Sequence, residues 1–500
     1  MKSFWEETMQ EKQNFPQMEE DIQVDVCIIG AGLTGLTCGY YLGNNTNFAI
    51  IDKSNICSGT SGKNTGKITS QHGLFYNYLY NSNGQEYAKE YFEANEKAID
   101  WIEQIVKNEH IECEFKRAPA YVYTRQQIEK NKFEKEEFAM NKINVNIAEF
   151  STSTPGPINS IYAEKFKNQA QLNPVKYAYG LANAIVKNGG KIYENSIATK
   201  IEKSGGKYTI CVNDKYKITA QNVILATRYP SINMPGFYFL KMYQSTSYAM
   251  VFDVHEELFD EYYISSENPI VSLRSIDQQN KKLLLAVGYD YKTGCVPLTN
   301  GYKDLETQVK ALYPRAELIS KWSAEDCISL DKIAYIGEDS KIMKNLYIAT
   351  GYNKWGISMS NVAANILVDK IHGKSNEYED LFNSTRLEPI KNKGELKNML
   401  SEAGNSLILS RFKMPKQTIK DIKANEGKIV KVNNKKIGVF KTETGELLAV
   451  KPKCSHLGCE LNFNNIDKVW ECPCHGSKFK PDGTAIEVPG VKNLNTDNDL

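Results

Sequence analysis

V-D-V-C-I-I-G-A-G-L-T-G-L-T-C-G-Y-Y-L-G-N-N-T-N-F-A-I-I-D occupies Val24–Asp52. Val24–Ile29 is an apolar run of buried-strand type, and Gly30, Gly32 and Gly35 follow as G-x-G-x-x-G. Leu33–Leu42 continues as an apolar helix, Phe48–Ile51 is a second strand, and Asp52 ends it. The glycines serve a tight turn, close approach of backbone to a pyrophosphate, and helix-to-strand packing. The helix N-terminus then faces the phosphates. Asp52 stands where a carboxylate accepts hydrogen bonds from ribose hydroxyls. A lone G-x-G-x-x-G is weak, but strand, helix, strand and acid together predict a dinucleotide-binding unit. NAD and FAD both suit it.

Other segments bear on that choice. Ser58–Thr69 (S-G-T-S-G-K-N-T-G-K-I-T) is a loop of small residues that can lie along a cofactor, with Thr65 as a contact. Ala170–Ile185, Asn222–Thr227 (N-V-I-L-A-T), Trp322–Cys327 (W-S-A-E-D-C) and Leu346–Ser360 (L-Y-I-A-T-G-Y-N-K-W-G-I-S-M-S) follow in that order. Together they resemble the D-amino-acid oxidase/glycine oxidase superfamily of FAD-dependent amine and amino-acid oxidoreductases, over about residues 20–375. The resemblance implies FAD, with Thr227 near the cofactor and Gly351 and Gly356 bringing the last turn against its ring. Some relatives attach flavin through a His in the loop after the second strand, or through a Cys near the final turn. Here that loop has Lys63 and Asn64, and no Cys lies between Cys327 and Cys454, so FAD is expected to be non-covalent.

The last ninth of the chain holds C-S-H-L-G-C at Cys454–Cys459 and C-P-C-H-G-S at Cys472–Ser477. Each loop offers one Cys and one His. Cys454 and Cys472 can hold one iron while His456 and His475 hold the other, the ligand set of one Rieske [2Fe–2S] cluster. Neutral imidazoles in place of two thiolates set its potential at roughly −150 to +300 mV. A structural zinc site uses the same residue types, but it needs four ligands and these loops hold two further cysteines. The pattern resembles Rieske proteins of the quinol-oxidising complexes, and that resemblance implies a Cys459–Cys474 disulfide across the loops. In those proteins a Tyr stands where this chain has Phe479.

The expected architecture is an α/β FAD-binding (Rossmann-like) domain with an inserted α+β substrate domain, plus a C-terminal all-β Rieske domain. By the resemblance, residues 20–74, 160–228 and 330–375 bind FAD, and 75–159 and 229–329 form the substrate domain. Residues 376–410, with one helical stretch at Glu395–Leu409, read as a linker, and 411–500 as the Rieske domain with strands from near Thr418. Tyr87, Tyr91, Ala94, Ala98, Trp101, Ile102 and Ile105 recur at helical spacing and predict an amphipathic helix. Arg125–Phe138 alternates Lys and Glu and reads as a solvated helix face.

Sixty-one basic and sixty acidic residues leave a net charge of +1, with no basic stripe for nucleic acid. No apolar stretch approaches the roughly 20 residues of a membrane helix. The charged start lacks a signal-peptide h-region. Seven cysteines are scattered without pairing pattern, so a cytoplasmic location is expected.

Flavin takes two electrons at once and a Rieske cluster takes one, so one chain with both is a two-to-one-electron converter. The expected function is oxidation of a C–N bond in a small amine or amino acid, with electrons leaving through the cluster to an external one-electron acceptor. Arg274 is a candidate to grip a substrate carboxylate, and Tyr243, Tyr248 and Trp355 to line the pocket. Two other classes are weighed: a Rieske-type oxygenase or reductase component, and an electron-transfer or redox-sensing protein. An oxygenase needs a second iron held by two His and a carboxylate, and His72, His110, His255 and His372 lie far apart in sequence.

Overall fold

In this computed structural model the described residues are all except 11, 231–235, 279–280, 296, 298, 387–413, 416 and 497–500. The expected helix Glu395–Leu409 lies outside the described residues.

Alternation of apolar side chains on both faces of Ile22–Ile29 makes it a central strand. Val26 and Ile28 point into one core cluster, Cys27 and Ile29 into another, as in parallel sheets covered on both sides. The sheet runs Tyr335–Glu338, Leu346–Thr350, Tyr216–Leu225, Ile22–Ile29, Phe48–Ile51 and Lys191–Tyr193. All neighbours are parallel except the first pair. Helices Leu33–Leu42, Pro174–Lys187 and Gly356–Ile371 bury their apolar faces in the first cluster. The hairpin Ala198–Ser204/Lys207–Val212 covers part of the other face.

A second sheet runs Glu317–Ser329, Met242–Asp253, Lys281–Lys292, Val271–Gln278, Tyr262–Ser265, Lys116–Thr124, Tyr162–Gln171 and Lys67–Ile68. The division at residue 160 therefore shifts. Tyr162–Gln171 pairs antiparallel with Lys116–Thr124, with Ala120 opposite Phe166, and belongs to this sheet. The amphipathic helix forms as Gln85–Asn108, burying Tyr91, Ala94, Ala98, Ile102 and Ile105. The helix Lys130–Lys142 departs from a solvated face. It buries Phe133 and Met140, and the buried Glu136 carboxylate accepts from the amides of Tyr76 (2.7 Å) and Asn77 (2.8 Å) at a neighbouring helix start.

Residues 376–386, expected to open the linker, pack on the first core. Tyr378, Leu381 and Phe382 are buried there, and Arg386 pairs with Asp331 at 2.7 Å. The C-terminal domain has two small antiparallel sheets, Glu426–Val432/Lys435–Lys441/Leu447–Val450 and Asn462–Asn464/Val469–Glu471/Lys478–Phe479/Ala485–Glu487. Its first described strand begins at Glu426 rather than near Thr418, which instead caps the short turn Ile419–Asp421. No helix among the described residues is long and apolar enough to cross a membrane.

Candidate functional site

The turn after Ile29 is shaped by what its residues lack. Gly30 has φ +111°, and a Cβ there would stand 2.5 Å from the Ala226 carbonyl oxygen. A Cβ on Gly35 would stand 1.8 Å from the Gly30 oxygen, so only glycine lets the helix start this close to the strand. Gly35 therefore packs, while Gly30 and Gly32 line a cavity of about 290 Å³ with Asp52 and Thr227. Asp52 accepts from the amides of Ala31 (2.7 Å) and Ser54 (2.9 Å). Burial pushes its carboxyl up, and those two amides pull it back.

A second cavity, about 100 Å³, shares Gly32, Thr60, Ser61, Ala226 and Arg228 with the first, so the two run together past the helix N-terminus. Thr65, Gly351 and Gly356 line it. A glycine-lined channel past a helix N-terminus, with an acid at the second strand's end, fits a dinucleotide. Cys327 lines the second cavity and Cys57 the first. Burial pushes both thiols up, Cys327 to about 12, leaving them poor nucleophiles.

None of the expected substrate residues lines either cavity. Tyr248 is buried between Tyr291 and Tyr302, with ring centroids 5.8 and 4.5 Å away, in the core of the second sheet. Trp355 stacks on His72 at 4.5 Å. Tyr243 lies under Lys292, 5.7 Å from its ammonium. Arg274 is buried against Trp5, its Nε donating to the Ser275 carbonyl at 3.1 Å. Large aromatics gain most from burial, and Tyr248 follows that drive fully while Tyr243 and Trp355 are half-buried.

Sequence reasoning missed the charged residues of the second cavity: Lys67, Arg228, Asp326 and Lys354. Lys67 faces the Tyr262 ring at 5.5 Å and is buried with Arg274 beside it, without a salt bridge for either among the described residues. Burial, then Arg274, drives the Lys67 ammonium well below its ordinary value, and burial pulls Arg274 to about 10. Asp326 is pushed up to about 6 by burial, against the pull of Lys354 and Arg228.

At the C-terminal end the two loops meet. Cys454 and Cys472 are buried and unbridged, and the rings of His456 and His475 lie 5.1 Å apart at 83°. Both Nδ1 atoms are buried without a partner. Burial, with His456 adding, holds His475 at about 3, and burial lowers His456, so both rings are neutral donors at neutral pH. Contact with Cys472 holds the Cys454 thiol down at about 7, and Ser477 Oγ is 3.4 Å from its sulfur. Cys459 and Cys474 form a disulfide. The sulfurs of Cys459, Cys472 and Cys474 lie within 4.8 Å of one another, and the bridge uses two of them. Two thiols and two orphaned neutral imidazoles fit a Rieske cluster. No second cluster of three His, Cys, Asp or Glu side chains that could hold a metal is found among the described residues. His72 instead bonds Tyr91 and Thr69, and His372 lies at Thr46.

The cluster loops sit on the flavin side of the molecule. Gln244 Nε2 donates to the His475 carbonyl and, at 3.0 Å, to that of Val488. Tyr229 and Phe239 each put a ring 6.0 Å from the His475 ring. Buried Lys478 joins Glu325 (2.6 Å) and Glu471 (3.1 Å), a bridge between domains with satisfied charges.

Residues 25–370 match the family described as FAD dependent oxidoreductase, and residues 413–497 match the Rieske [2Fe-2S] domain. The chain is 33% identical over 98% of its length to the putative Rieske 2Fe-2S iron-sulfur protein YhfW of Bacillus subtilis (strain 168), covering 96% of that protein. It is 22% identical to the gamma-glutamylputrescine oxidoreductase of Escherichia coli (strain K12), over 74% of this chain and 88% of that one. Glycine oxidase from Bacillus cereus ATCC 14579 shares its fold, with TM-score 0.59 and 17% identity over 73% of this chain and 99% of that one.

Proposed function

The chain belongs to the FAD dependent oxidoreductase family, with a Rieske [2Fe-2S] domain behind it, and we propose that it is an amine or amino-acid dehydrogenase whose electrons leave through the cluster to an external one-electron acceptor. One observation carries this: Arg228 lines the second cavity together with Gly351 and Gly356, and the next residue, Tyr229, faces the ring of His475 at 6.0 Å. Tyr229 thus joins the wall of the cavity expected to hold the flavin ring to one candidate ligand of the cluster. When bound, FAD supplies two-electron oxidation of a C–N bond and the cluster accepts electrons singly.

The protein's own part is binding and proton handling. Lys67 lines the second cavity with Arg274 behind it, two buried basic groups without a salt bridge among the described residues. Burial disfavours the Lys67 ammonium, and a substrate carboxylate seated there stabilises it. Arg274 then acts through Lys67 rather than by direct grip. Asp326 is the carboxylate lining this cavity. With its pKa near 6 it is ionised at neutral pH and placed to take the proton of a substrate ammonium. Non-covalent FAD fits the protonated thiols of Cys57 and Cys327. The kinship with a gamma-glutamylputrescine oxidoreductase and the fold of glycine oxidase agree with a C–N donor.

Anaerobic titration with a panel of amino acids and amines tests the proposal. At least one amino acid bleaches the flavin, and Lys67→Met raises the concentration needed about tenfold. Bleaching by none of the panel, with dithionite still effective, contradicts it.

A further inference from the structure

The first cavity is not walled by the flavin domain alone. Ile486, Glu487, Val488 and Val491, all from the Rieske domain, line it together with Gly30, Gly32 and Asp52. They come from the edge strand Ala485–Glu487 and the turn after it. Val488 is buried in the same apolar cluster as Ile29, Ile51 and Leu225, the ends of three strands of the parallel sheet, and Val491 packs on it. The Rieske domain thus enters the dinucleotide core.

Polar contacts tie down the same segment. Lys53, next to Asp52, donates to the Ile486 carbonyl at 2.9 Å. Glu487 lies 3.4 Å from Lys63 and 3.0 Å from Arg228. Burial works against its carboxylate, but Arg228, Lys63 and Lys53 overcome that and hold it down at about 2. Glu487 thus positions Lys63 and Arg228 on the cavity wall. Cationic side chains beside a helix N-terminus suit a doubly charged pyrophosphate.

We propose that Ile486–Val491 of the Rieske domain is part of the FAD site and closes over its ADP half, so that the flavin is held between two domains. The experiment uses full-length protein freed of flavin. FAD binding is followed by quenching of flavin fluorescence, and the cluster by low-temperature electron paramagnetic resonance. Val491→Trp fills the cavity from the Rieske side and raises the Kd for FAD about tenfold or more, with the cluster signal kept. Val491→Ala changes it by about threefold at most. Hydrogen exchange reads the same contact without a substitution. FAD, and ADP alone, slow exchange of the 486–491 amides together with those at 30–36, and leave Lys435–Lys441 unchanged. Wild-type affinity in Val491→Trp overturns the proposal. So does slowing at 30–36 without slowing at 486–491, or an effect of FAD there that ADP does not share. Slowing at neither place overturns the flavin assignment of this cradle as well.

Discussion

The four candidate cluster donors lie between residues 454 and 475, on two loops that touch each other, whereas the first candidate flavin cavity draws its lining from Ile29 to Val491. The loops carry their chemistry in their own residue types. Two thiols, two neutral rings and a disulfide need only local folding to come together. The flavin cradle exists only when a parallel sheet, an inserted sheet and the Rieske edge strand have all packed. A local change should therefore cost one site and spare the other.

The largest effect expected is all-or-none. His456→Ala or His475→Ala should abolish the Rieske paramagnetic signal and leave the FAD content of the purified protein unchanged. The contact with Gln244 uses the backbone carbonyl of His475, which survives the substitution. A retained signal in either variant breaks the ligand assignment. Loss of both cofactors would instead show that cluster and cradle fold as one unit.

The converse change is Gly32→Asp. Gly32 lines both flavin cavities at the helix N-terminus. A carboxylate suits that position in the folded chain and occupies the place of the pyrophosphate, so FAD affinity should fall about 100-fold. Iron content and the cluster signal should persist. Equal FAD affinity in the variant would remove the phosphates from this turn.

A difference in pH response sharpens the comparison. Asp326, raised to about 6 by burial, takes its proton only when ionised. The rate of flavin reduction by substrate should thus be flat above that pH and fall about tenfold per unit below it. Asp326→Asn should slow the reaction about 100-fold and remove that limb. A limb that persists in Asp326→Asn assigns the proton to another group.

The smallest effect concerns potential. Phe479 is fully buried in the same apolar cluster as Cys454 and Cys472. A tyrosine there supplies a donor that stabilises the reduced cluster, so Phe479→Tyr should raise its midpoint by about 60 mV. An unmoved midpoint in a redox titration would show that the ring does not reach a cluster sulfur.

The same contrast explains what was legible in the sequence. The Gly-rich turn, Asp52 and the two ligand loops were readable because each is a short run whose spacing is dictated by its ligand. Arg228, Lys67, Asp326 and Glu487 were not. Arg228, Lys67 and Glu487 each take their meaning from a partner more than one hundred positions away, such as Lys63 for Glu487, and Asp326 from Lys354 and Arg228 on other elements. Tyr248 and Trp355 suggest a pocket by residue type, yet Tyr248 is buried among the rings of the second sheet and Trp355 stacks on His72 at a helix start. Arg274 lies behind Lys67 because Trp5, from a segment left outside the expected domains, stacks over it.

Electrons are proposed to enter at the flavin and to cross within one chain to the cluster. Anaerobic rapid mixing of the oxidised protein with a reducing amino acid tests it most directly, followed at flavin and cluster absorbance over a tenfold range of protein concentration. The account predicts flavin bleaching first and cluster reduction second, with a second rate independent of protein concentration. Cluster reduction before flavin bleaching, or a second rate proportional to protein concentration, would contradict it.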